Sequence, residues 1–363
     1  MRATTPFQVS ALFGEFFRGR VSRRQLLVRS AQLGLAAPAV AALLNERAPL
    51  TAAQTPKQGG NLTIGVRSDF TILDPHVTSS VSDGIFMMAV FDRLVERAQD
   101  GTLYPGLATK WSVSPDGLTW TLALRKGVKF HDGTDFNADA VKINFDRMVD
   151  PATKSEYAIF ELGPYVGTEV VDPYTVNVKM SRPYGPLPVG LATYGMGMVS
   201  PAAIKKYGQD LGQHPVGSGP FMFKEWAPKD HVTVTAFPDY NWPSGREKHE
   251  GRAYLDEVRF NFIPETATRL AALGSGQIDA ASGLAPADWK SLDPNAFTTS
   301  KVLLEGYPPA GGFLNVEKFP TDDLKVRQAM QYAIDRDEIN QVVFEGTAEP
   351  ADGIISTFAW AYN

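Results

Sequence analysis

Histidine is the side chain best suited to proton transfer or metal ligation near neutral pH. The 363-residue sequence has five, at positions 76, 131, 214, 231 and 249. No two stand at the short spacing a shared metal needs, and no cysteine is present to complete a ligand set. The lack of cysteine also excludes disulfides, thiolate nucleophiles and lipid attached through a thiol. His131-Asp132-Gly133 follows the apolar Val128-Lys129-Phe130 and reads as a turn, because Asp and Gly tolerate the backbone angles turns require. Gly217-Ser218-Gly219 lacks the helix opening and lysine of a phosphate-cradling loop, so it reads as a tight chain crossing. No Gly-x-Ser-x-Gly elbow is present. These residues point away from an enzyme, from a resident metal and from any cofactor. A chelated metal stays open only as a cargo.

The elements that would carry such residues are legible from periodicity. Asn61 to Val66 alternates as a strand, with Leu62, Ile64 and Val66 on one face. Trp120 to Arg125 is a second alternating strand behind the turn Pro115-Asp116-Gly117, and Val128 to Phe130 follows it. Asn137 caps a predicted helix with Val141, Phe145 and Met148 on one side. A hairpin over Val170 to Met180 turns at Asp172-Pro173, and strands are expected over Val232–Ala236 and Val258–Phe262. A short helix begins at Pro264-Glu265-Thr266 with Leu270 and Leu273 as its apolar residues, followed by a small strand over Ile278–Ala280. Leu324 to Ile334 reads as an amphipathic helix. Asp335-Arg336-Asp337-Glu338 resembles a capping box for the next one, which bears Ile339, Val343 and Phe344. Strands and helices interleave irregularly, which favours mixed α/β lobes over a strict barrel. Twenty-six prolines and 32 glycines punctuate the chain too often for a helical bundle.

Charge divides the sequence. Residues 1–53 carry seven arginines and two glutamates, so the remainder of a chain at −5 stands at −10. A body this acidic repels phosphate backbones, and no nucleic-acid partner is expected. Within the basic leader, Ser22-Arg23-Arg24-Gln25-Leu26-Leu27 precedes an apolar run from Ala31 to Leu44. The pattern resembles a twin-arginine export signal, with Leu26 where Phe is commoner. The run is too short to span a bilayer, and Thr51-Ala52-Ala53 supplies a small-x-small cleavage site. The expectation is a leader over 1–53 and a soluble periplasmic body.

Several blocks in order then carry a family resemblance. They are Leu73-Asp74-Pro75 with Val90-Phe91-Asp92-Arg93-Leu94-Val95-Glu96; the stretch from Asp100 through Trp111, Trp120 and Leu124-Arg125-Lys126-Gly127-Val128-Lys129-Phe130-His131-Asp132-Gly133 to Val141; Pro215-Val216-Gly217-Ser218-Gly219-Pro220-Phe221; Ser275-Gly276-Gln277-Ile278-Asp279; and Leu314-Asn315 with Tyr332-Ala333-Ile334-Asp335-Arg336. Together they resemble the family 5 extracellular solute-binding proteins, the dipeptide, oligopeptide and nickel type that feed ATP-driven (ABC) importers. The resemblance implies two α/β lobes of mixed sheets flanked by helices, with a small solute held between them. It also implies hinge closure, delivery to an ABC permease in the inner membrane, and a monomer without catalytic activity. By this reading 54–262 form the first lobe and 263–363 part of a second, incomplete one.

Cleft loops at strand ends are the expected ligand contacts. Thr78, Ser79 and Ser80 align with a hydroxyl-rich, ligand-facing segment of dipeptide-binding relatives, and could hydrogen-bond a carboxylate or amide. Tyr194 and Met196 stand at the matching cleft edge, and Pro309, Ala310 and Gly311 precede a second-lobe strand. Two readings from other classes stay open: an exported hydrolase with a scattered site, and an envelope ligand sensor.

Overall fold

The computed structural model describes residues 56–348 apart from 248, 286, 287, 289, 295 and 301–312. The chain divides between Lys57 and Gln58, and the described secondary structure belongs to the second unit. The expected leader over 1–53 lies outside the described residues, as do Pro309, Ala310 and Gly311.

In chain order the elements begin with β1 (Asn61–Val66), α1 (Gly84–Val90), β2 (Val95–Arg97), β3 (Leu103–Pro105), β4 (Ala108–Val113), β5 (Thr119–Leu124) and α2 (Ala138–Val149). There follow α3 (Ala158–Leu162), β6 (Tyr165–Asp172), β7 (Thr175–Met180), α4 (Leu187–Gly190) and α5 (Pro201–Tyr207). The last group is β8 (Phe221–Ala227), β9 (His231–Ala236), β10 (Glu257–Phe262), α6 (Thr266–Gly274), β11 (Ala280–Ala281), α7 (Leu324–Tyr332) and α8 (Arg336–Val342).

One sheet runs in the order β11-β1-β10-β9-β8. β1 lies parallel to β10 on one side and to β11 on the other, while β9 and β8 continue antiparallel. Five of the six residues of β9 are buried, so this strand is covered on both faces and reads as an apolar and β-branched run. Phe70 fills the centre of the first core, its ring 5.4–5.7 Å from those of Phe86, Phe260 and Phe262. Tilted and edge-on pairs of this kind add to the area they bury.

The second sheet, β4-β5-β7-β6, is wholly antiparallel. Trp120, Leu122 and Leu124 alternate with half-buried neighbours, and so do Val176, Val178 and Met180, as one covered face demands. α2 packs here through Val141, Phe145 and Met148, and the Asn137 side chain accepts the Ala140 N–H as its cap. Asn144, fully buried on the same helix, donates to the Ala140 and Val199 carbonyls and accepts the Val199 N–H. Every polar atom of that amide is engaged, which is what makes its burial tolerable.

The two cores meet along one stretch of chain. Phe91 belongs to the first and Leu94 to the second, and Gly217-Ser218-Gly219 crosses beside them. A Cβ on Gly217 would lie 2.0 Å from the Val90 carbonyl oxygen, so glycine is required there by contact. The tight crossing expected from the sequence is present.

Some expectations need correcting. Val128–Phe130 is no strand: Lys129 makes a single bridge to Asp135, and Val128 and Phe130 serve as core residues. On α6, Arg269 and Ala272 turn inward, leaving Leu270 and Leu273 half-buried, because the arginine has carbonyls to satisfy beneath the helix. The small strand is Ala280–Ala281, with Ile278 packed ahead of it. Past position 262, α6 leads to β11, which pairs with β1 at the edge of the first sheet. α7 ends at Tyr332, and Asp335 caps α8 by accepting the Glu338 N–H.

Candidate functional site

In open α/β sheets ligands sit beyond the carboxyl ends of parallel strands. Here those ends belong to β1, β10 and β11, and the chain leaving β1 runs into the segment that carries Thr78, Ser79 and Ser80. Three side chains hold that segment. Arg147, in the last turn of α2, donates through Nη1 to Asp74 Oδ1 at 3.0 Å and through Nη2 to Oδ2 at 2.5 Å. The same Nη1 lies 2.8 Å from His76 Nδ1, which fixes that nitrogen as an acceptor. Nε2–H then donates to the Gly197 carbonyl at 3.0 Å. Burial, then the Arg147 charge, pull the His76 pKa down to about 4, so the ring is neutral. The result ties the 74–80 segment to the turn containing Tyr194 and Met196.

Thr78 is buried, donating to Asp83 Oδ2 at 2.7 Å and accepting the Ser80 N–H at 3.1 Å. Its hydroxyl is thus engaged in shaping the loop. Met196 is fully buried in the second core. Ser79 is exposed and donates to Glu156, and Ser80 is half-buried. Tyr194 stacks on Tyr157 with ring centroids 4.9 Å apart and planes 16° apart, and it approaches the start of α1 at Gly84. Burial, then the charges of Asp83 and Glu161, push the Tyr194 hydroxyl up to about 12. Burial also raises the Glu161 carboxyl and the Tyr157 phenol. The structure therefore brings Thr78, Ser79, Ser80, Tyr194 and Met196 into one neighbourhood, with Ser79, Ser80 and Tyr194 forming its accessible part. Val81, next in the chain, and Met88 on α1 are exposed apolar residues.

His131 is equally committed. Its Nε2–H donates to the Gly219 carbonyl at 2.9 Å, and its Nδ1 accepts the Gly217 N–H at 3.3 Å. Burial lowers its pKa to about 4. Neither His76 nor His131 has a free ring nitrogen for proton transfer. Among the described residues no group of three or more His, Asp or Glu stands where it could hold a metal ion. A cavity of about 230 Å³ beside Asp132, Lys206 and Tyr207 contains none of the predicted contacts.

Sequence reasoning passed over Arg147 and Asp92. Asp92 receives the Trp242 indole N–H at 2.9 Å and the Ser218 hydroxyl at 3.1 Å, at the meeting point of the two cores. Burial pushes its carboxyl up to about 7 against those hydrogen bonds. Asp74 and Asp92 both lie within the family-like blocks, but their partners are 73 and 150 positions away, beyond any local pattern.

Residues 102–363 match the family described as bacterial extracellular solute-binding proteins, family 5 middle. The glutathione-binding protein GsiB of Escherichia coli O6:K15:H31 is 35% identical over 299 residues, covering 81% of this chain and 56% of the relative. GsiB of Pectobacterium atrosepticum is 36% identical over 294 residues, covering 80% and 55%. The chain thus spans just over half the length of the curated relatives it matches. Among solved structures, the periplasmic binding protein DppA of Helicobacter pylori, in complex with the peptide STSA, matches at TM-score 0.72 and 26% identity, over 85% of this chain and 63% of that one. AgaA of A. tumefaciens R10, in complex with agropinic acid, matches at TM-score 0.69 and 31% identity, over 81% and 58%.

Proposed function

The chain belongs to the family 5 bacterial extracellular solute-binding proteins, and from that premise we propose that it captures a small peptide-like solute for an ATP-driven importer. Family members bind solutes rather than convert them, and are periplasmic. The ligand rests on the face built from Ser79, Ser80 and the Tyr157–Tyr194 stack, and a second lobe closes over it. Closure works only if the solute binds the closed form more tightly than the open one. The bound protein then docks on a membrane permease as a monomer, without catalysis and without nucleic acid. Export through the twin-arginine route is part of the same proposal, resting on Arg23 and Arg24 in the leader.

The observation that carries the binding role is the nearness of the exposed Ser79 and half-buried Ser80 to the half-buried Tyr157–Tyr194 stack, braced by a neutral histidine and a bidentate ion pair. Such a face offers hydrogen bonds to amides and carboxylates and flat contact to an apolar group. Two neighbours, DppA with a peptide and GsiB by its description, bind ligands of this chemistry. Titration calorimetry of the full-length protein tests it, using glutathione, a dipeptide series, agropinic acid, a nickel–histidine chelate and a sugar. Saturable binding of a peptide-like member is expected. Heat from none of them, or turnover of the ligand during titration, overturns the reading.

A further inference from the structure

Arg269 is fully buried, and its guanidinium faces backbone carbonyls. Nη1 donates to the carbonyls of Ile263 and, at 3.1 Å, Pro264, where the chain leaves β10. Nη2 donates to the Gly283 carbonyl at 3.0 Å, where the chain leaves β11, and reaches the Thr266 hydroxyl at 3.4 Å. β10 and β11 flank β1, so one side chain spans the exits of strands on both sides of the central one. The stem passes beside Gly65 of β1, where a Cβ would lie 3.1 Å from Arg269 Cγ and 2.6 Å from Ile278 Cδ1. Gly283 has φ +67°, a left-handed conformation in which only glycine moves freely. Ser282 just before it is tied to the Gly65 carbonyl through its N–H at 2.9 Å.

We propose that Arg269 is a positioning residue that fixes the direction in which the chain leaves the first sheet at Gly283. A glycine at a strand end is a pivot, and a guanidinium with several donors in a rigid plane holds such a pivot better than a point charge. Because both exits are clamped by one group, they turn together. The functional consequence rests on the proposed binding role: the clamp sets the orientation of whatever follows β11, and so the cost of closing over a ligand.

The test compares Arg269→Lys and Arg269→Met in the full-length protein with Ala272→Gly, a destabilising change on the same helix that touches neither exit. Hydrogen exchange across 282–284 is expected to quicken at least tenfold in Arg269→Met, with Arg269→Lys intermediate. Amides in the middle of β10 should stay as protected as in Ala272→Gly. Affinity for reduced glutathione, the probe used, is expected to fall about tenfold in Arg269→Met and little in Ala272→Gly at a matched loss of thermal stability. Exchange at 282–284 equal to that of the control overturns the proposal. Equal affinity in the two variants confines Arg269 to a structural role and also overturns its positioning of the ligand-binding form. If wild type binds no glutathione, the local exchange still decides whether the exit is clamped, separately from the binding reading.

Discussion

Arg147 Nη1 sits 2.8 Å from His76 Nδ1 while also holding Asp74, so the histidine is an acceptor on one side and a donor to Gly197 on the other. A protonated ring would meet the guanidinium with a second positive charge and no acceptor.

Acid should therefore weaken the fold. His76 and His131 have folded pKa values of about 4 against 6.5 for the free side chain. Below pH 6.5 the unfolded chain takes up protons that the native one does not, so stability falls as pH drops from 6.5 to about 4. The displacement corresponds to about 3 kcal/mol for each histidine. Asp92 opposes this slope over the same interval, so the urea titrations between pH 4 and 8 are made in an Asp92→Asn background, where His76→Asn should remove roughly half of it. An unchanged slope in that variant would contradict the neutral, buried ring.

Asp92 acts in the opposite sense. Its folded pKa of about 7 lies above the ordinary 3.8, so the native state holds a proton across that interval. Stability from this group is complete below pH 3.8 and is lost as pH rises towards 7. Asp92→Asn keeps an acceptor for the Trp242 indole and has nothing to ionise. Its unfolding midpoint should exceed that of wild type most above pH 7, and the gap should narrow as pH falls, closing only below about pH 3.8.

Gly217→Ala should be among the most damaging single-methyl changes in the chain. The new Cβ would stand 2.0 Å from the Val90 oxygen, against backbone that cannot step aside. A loss of about 3 kcal/mol or more is expected, read as a drop in thermal midpoint or loss of soluble protein. Gly127, at φ +77° with open space around it, isolates the backbone term, and alanine there should cost about 1–2 kcal/mol.

Tyr194→Ala should separate binding from folding. Loss of the stack on Tyr157 removes about 1 kcal/mol of stability. Affinity for whichever panel member binds should fall about tenfold or more, with Tyr194→Phe retaining most of it. Calorimetry and thermal melts on the same samples make the distinction, and a parallel loss in both variants would assign the hydroxyl, not the ring, to the ligand.

Much of the fold is legible in sequence because it depends on local periods. The alternation through Trp120, Leu122 and Leu124 sets a strand face, and Asn137 ahead of Val141, Phe145 and Met148 sets a capped helix. Leu270 and Leu273 misled because apolar character alone cannot foresee that an arginine will go inward to bind carbonyls at two strand ends. At the candidate site, resemblance located Thr78, Ser79, Ser80 and Tyr194 near one another. It did not reveal that Thr78 already serves Asp83 and Ser80, or that Met196 lies in the core. Those distinctions depend on contacts between distant parts of the chain, such as Arg147 with Asp74.

β1 shapes the order in which the molecule can be completed. Its hydrogen-bonded neighbours are β10 and β11, and contacts at its edge join residues 196 and 216 positions apart. Closing so long a loop is slow, because the entropy is lost before any pairing offsets it. At about 5–20 residues per second, a ribosome needs roughly 10–40 s between making β1 and making the strand it pairs with. The hairpins of the antiparallel sheet have time to assemble by then, so the sheet built on β1 is expected to form after them.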